Sequence, residues 1–143
     1  MVTVKLALLA DYALISSDGK LSILGIFDRI FAHKKPVIHP NMHLVTIFEA
    51  ERMDVHRKHS VEVELIDADG KQVFKLGGEL TIAEPASDHQ MRFNHIVNLN
   101  NVTFKEFGIY DFKIIVDGEV CASVALHVSE AQTKPITLPP SEA

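Results

Sequence analysis

Three histidines within one short segment, His33, His39 and His43 in "HKKPVIHPNMH", are the residues best suited to hold a metal, because neutral imidazole is the commonest zinc ligand. Pro40 lies between His39 and His43 and removes the helical i, i+4 arrangement, so a site here has to be built by a loop. A small-ligand or metal site on loop 33–43 is therefore one functional reading. His56 and His59 lie beyond the following strand, roughly 25 Å away at ordinary strand rise, and cannot share that ion. His95 alternates in phase with Met91, Phe93, Val97 and Leu99 and reads as a hydrogen-bonded core histidine.

Other residues capable of chemistry have simpler readings. "DADG" at 67–70 begins like a calcium loop, but Lys71 stands where a further oxygen ligand is required, and a hairpin turn accounts for it. Glu62 and Glu64, like Glu49 and Glu51, lie on the polar side of alternating strands, where paired carboxylates are solvated and discourage edge pairing. Cys121 and His127 are six positions apart on one extended strand, roughly 20 Å, too far for proton transfer; Cys121 reads as a small apolar filler. No nucleophile elbow, phosphate-binding glycine loop or dinucleotide fingerprint occurs. No catalytic residue and no cofactor is assigned, and enzymatic activity is not expected.

The 143 residues fit one domain with a real core, and 47% hydrophobic against 23% charged content is that of a globular chain. One cysteine permits no internal disulfide, the usage of a reducing compartment, so a cytoplasmic location is expected. The apolar run near the amino terminus is cut short by Asp11 and is not expected to act as a leader, and no run is long enough to span a bilayer. A net charge of −5 with only short basic clusters gives no footprint for nucleic acid.

Period-two alternation dominates, as in Val61, Val63 and Leu65 or Tyr110, Phe112, Ile114 and Val116. Strands are expected near 2–10, 12–16, 20–31, 42–50, 59–66, 71–83, 90–99, 109–116 and 119–128. Three Asp-Gly pairs, at 18–19, 69–70 and 117–118, each join two of them as a hairpin. The expected fold is all-β, a two-sheet antiparallel β-sandwich over 1–128, followed by a proline-bearing flexible tail over 129–143.

Two resemblances sharpen this. Asp11-Tyr12, the turn Asp18-Gly19-Lys20-Leu21-Ser22 and the following Gly25-Ile26-Phe27-Asp28 resemble the opening of a bacterial family of short all-β proteins with no assigned function. That resemblance implies the fold and no activity. The last third, with Leu99, Val102 and Phe104 ahead of Gly108-x-Tyr110, resembles the end of an immunoglobulin-like sandwich, which implies that Tyr110 turns inward and bonds the backbone upstream to fix a corner. Phe112 stands where antibody domains place a cysteine, and the chain has no tryptophan.

The early strands are apolar on both sides. Leu21, Ile23, Phe27 and Phe31 share one phase and Leu24, Ile26 and Ile30 the other, with Gly25 between them as an expected bulge; Leu6 and Leu8 similarly oppose Ala7 and Leu9. A sandwich covers one face of each sheet. The second face has to be met by the tail, by loop 32–41 or by another molecule. The last is favoured, with Leu9, Leu24, Ile26 and Ile30 as the interaction surface and a protein or a second copy of the chain as the partner.

Overall fold

The computed structural model of the chain describes residues 1–84 and 91–132. Nine strands follow in order: β1 (Thr3–Ile15), β2 (Leu21–Phe27), β3 (Arg29–Ala32), β4 (Val37–Ala50), β5 (Lys58–Ile66), β6 (Gln72–Thr81), β7 (Met91–Phe104), β8 (Gly108–Val116) and β9 (Glu119–Glu130). A 3-10 turn, Arg52–Asp54, precedes β5. The strands form a four-stranded sheet, β2-β1-β4-β7, and a five-stranded sheet, β3-β9-β8-β5-β6, which curls. All three Asp-Gly hairpins form. In the second of them Asp67 uses its carboxylate to accept from the backbone N–H groups of Asp69 and Lys71, so it caps a turn.

Several boundaries differ from the sequence expectation. Segments 2–10 and 12–16 are one strand, because Asp11 interrupts the hydrophobic pattern without interrupting the pairing. Segment 20–31 is two strands: the chain leaves the four-stranded sheet after Phe27, and after Asp28 it joins the other sheet as β3, parallel to β9. The pairing is thus not purely antiparallel. The expected loop 32–41 shrinks to 33–36, since β4 begins at Val37, and β9 continues to Glu130 into the expected tail. The remainder of that tail, from 133, lies outside the described residues.

The core lies between the sheets. Phe48, Phe104 and Phe112 are fully enclosed there, with Phe48 stacked on Phe93 and Phe104 edge-on to Tyr110. Facing along β1 is set by an extra residue. Val4 pairs with Phe48 but Leu6 with Ile47, so Lys5 is bulged out and the strand changes phase. Val2 and Val4 therefore join the core with Ala7 and Leu9, while Leu6 and Leu8 turn to the outer face.

The bulge expected at Gly25 is absent, for the β1–β2 register runs past it without a shift. Gly25 has φ +72°, and a Cβ placed there would lie 2.5 Å from Asp11 Oδ2. Gly25→Ala is expected to cost about 1–2 kcal/mol from the left-handed backbone, plus the displacement of Asp11. Thermal unfolding checks this: the Asp11→Ala background should relieve the contact with the carboxylate and leave the backbone part together with a tight contact to the Asp11 Cβ.

Candidate functional site

The outer face of the four-stranded sheet is built from two strands that are apolar on both sides. From Met42 to Thr46 β4 is buried at every position, which only cover on both faces can produce. Leu44 and Phe48 point into the core, while Val45 points out and is nevertheless 0% exposed. Its cover is lateral: the ladder places Leu8 on one side of Val45 and Ile96 on the other. Ala10 is likewise buried outside the core cluster, between Ile26 and His43.

Toward β2 this lateral cover ends. Leu24 is 70% exposed and Ile26 65%, and the ladder sets Leu24 beside Tyr12, itself 50% exposed. Leu6 and Leu14 extend the apolar strip along β1. β2 is also the free edge of its sheet. From Leu21 to Phe27 it carries no charge and no proline, the devices that usually keep an edge from pairing. Of the four residues expected on this surface, Leu24 and Ile26 are there. Leu9 and Ile30 are not: both are core residues, Leu9 because the Lys5 bulge turns it inward and Ile30 because β3 has crossed to the other sheet. Sequence reasoning missed Tyr12, whose ring reads as an ordinary strand residue until its neighbour Leu24 is known.

The histidines are not brought together. His39 is half-buried beside the Phe27 ring at the inner end of β4, where burial pushes its pKa down. His43 is buried on the opposite, outer face, its ring edge against Tyr12 and its Nδ1 3.2 Å from the Asp11 carbonyl, to which it donates. The two part because both paired strands change phase between them: His39 and Met42 face inward alike, as do their partners Val102 and Leu99. His33 is exposed on the connection before β4. Among the described residues no cluster of three or more His, Cys, Asp or Glu side chains could hold a metal ion.

Other candidates have structural partners. Glu62 pairs with Lys75 at 2.9 Å across the β5–β6 ladder, and Glu49 with Arg92 at 3.1 Å. Cys121 is the extra residue of a bulge in β9, and burial pushes its thiol pKa up, the opposite of nucleophile activation. The Tyr110 hydroxyl donates to the Glu106 carbonyl at 2.7 Å, closing the turn before β8.

One charged cluster around a buried histidine has no counterpart in the sequence expectation. His59 lies 5% exposed at the start of β5, with Nδ1 2.7 Å from Asp117 Oδ2 and Nε2 2.8 Å from the Asp54 carbonyl. Both neighbours accept, so the geometry favours the imidazolium, which donates from both ring nitrogens. The Asp54 carbonyl first, and then the Asp117 carboxylate, hold its pKa above the ordinary histidine value despite burial. The Met1 ammonium, 3.1 Å from Asp54 Oδ2, completes a clamp tying the 3-10 turn to the β8–β9 hairpin. The signal for it was only the spacing of His59 from a turn aspartate 58 positions on, which sequence alone does not join.

No helix among the described residues is long and apolar enough to cross a membrane. No curated protein matches the chain. Residues 5–129, nearly all of the β structure including the Asp-Tyr strand, the Asp-Gly-Lys turn and both sheets, match a family of unknown function, DUF6941, and the chain belongs to that family.

Proposed function

We propose that this protein is a non-enzymatic interaction module that pairs with a second copy of itself through the outer face of the four-stranded sheet at its β2 margin. The observation that carries the reading is the adjacency of Leu24 and Ile26, on an edge strand without a charge, to Tyr12 on the neighbouring β1, all three half or more exposed. Burying these three side chains contributes roughly 3–6 kcal/mol before the costs of association, enough to matter in assembly. A two-fold axis beside β2 would let each copy shelter the other's strip, the self-complementary arrangement of most homodimers. The parallel β3–β9 pairing and the Tyr110 corner support kinship with immunoglobulin-like sandwiches, and the single cysteine supports a reducing compartment such as the cytoplasm.

The test is the mass of the native protein by sedimentation velocity across the micromolar range. A dimer is expected, and Leu24→Glu combined with Ile26→Lys should shift it to monomer with dissociation strengthened at least about a hundredfold, while the melting temperature at low concentration stays unchanged. A wild-type protein that is monomeric throughout that range overturns the proposal.

A further inference from the structure

The two flanks of the molecule differ. On one, the β2–β3 chain passes from sheet to sheet and β1 packs against β9. On the other, the chain also passes from sheet to sheet, from β6 to β7, but these two edge strands do not pair, and a groove of about 410 Å³ opens between them. Val61 and Val63 form its floor, Leu76 one wall, and Val97 and His95 the other. Such a volume is in the range that small-molecule sites use.

Two features mark the groove as more than a packing gap. Gly78 sits at an inward-facing position of β6, opposite Val61, where any other residue would send a side chain into this space; a Cβ built on it meets nothing within 4 Å. Its backbone is not left-handed, so conformation does not demand glycine there. His95 is the second feature. Its ring leans edge-on against Phe48, and it has no hydrogen-bond partner among the described residues. Apolar surroundings push its pKa down by desolvation, so near neutral pH the ring is uncharged and offers one donor and one acceptor.

We propose that this groove binds a small, uncharged aliphatic molecule carrying one oxygen, its chain along Val61, Val63 and Leu76 in the space Gly78 leaves open and its oxygen hydrogen-bonded to His95. The polarity of the site selects the class. Glu79 at the rim and a net charge of −5 oppose a carboxylate, and a pure hydrocarbon would leave His95 unpaired. An alcohol or carbonyl compound satisfies both.

Octan-1-ol is the probe, followed by proton–carbon correlation spectra of the His95 ring and the methyl groups of Val61, Leu76 and Val97. Saturable shifts at these positions are expected, with octane and octanoate each at least about tenfold weaker, the difference one hydrogen bond makes. Gly78→Leu should fill the groove and abolish the shifts while the melting temperature holds. His95→Phe should weaken octanol about tenfold and leave octane unchanged. The proposal is overturned if octanol produces no saturable shift up to its solubility, if the Gly78→Leu protein, folded by its spectrum, binds as well as wild type, or if the shifts fall on Leu24 and Ile26 instead.

Discussion

Raising the pH from 6 through 9 is expected to remove the stability that His59 contributes, so that the gap between wild type and His59→Leu narrows as pH rises. The folded-state pKa of His59 lies above its ordinary value of 6.5, so the ring contributes stability in full below about pH 6.5 and loses it as pH climbs through the raised value. Deprotonation leaves a ring with one donor between two acceptors, the Asp54 carbonyl and the Asp117 carboxylate, and one of those bonds has to break. At pH 6 the leucine variant loses both charge-assisted bonds and orphans a buried carbonyl, a cost of about 3 kcal/mol. Asp117 is itself 51% exposed, which keeps the figure below that of a fully buried ion pair. Urea unfolding at a series of pH values reads both effects. A difference between wild type and His59→Leu that is the same at pH 6 and pH 9 would show that His59 is neutral throughout.

Phe48→Ala is expected to cost about 3–5 kcal/mol, the largest loss of any single truncation considered. Phe48 is 0% exposed, stacks on Phe93 at 5.1 Å between centroids and supports the His95 ring edge, so the cavity left behind has rigid strands on every side and little means of collapsing. Leu24→Ala on the outer face, by contrast, should leave the isolated protomer within about half a kcal/mol of wild type. Denaturant midpoints of the two variants at low concentration measure the difference. Near-equal losses would mean that Leu24 is sheltered within one copy.

Much of the fold is legible in the sequence because its signals are local. Alternation sets the strands, and the Asp-Gly pairs set the hairpins at 18–19, 69–70 and 117–118. The two-sided pattern of the early strands correctly points to a second apolar face. Which residues occupy that face is not local information. Leu9 and Leu8 exchange places because Lys5 is looped out of a ladder whose partner lies more than 40 positions away, and Ile30 moves to the core because the chain changes sheets at Asp28. His39 and His43 look like neighbours in the sequence, yet the phase change shared by β4 and β7 sends them to opposite faces. The groove at Gly78 and the His59 clamp depend on which strands end up facing each other across the molecule, and periodicity carries no record of that.

The chain passes from one layer to the other between β2 and β3, β3 and β4, β4 and β5, β6 and β7, and β7 and β8. The layers are therefore stitched to each other at both flanks, and neither edge can part from its opposite without drawing on the backbone that joins them.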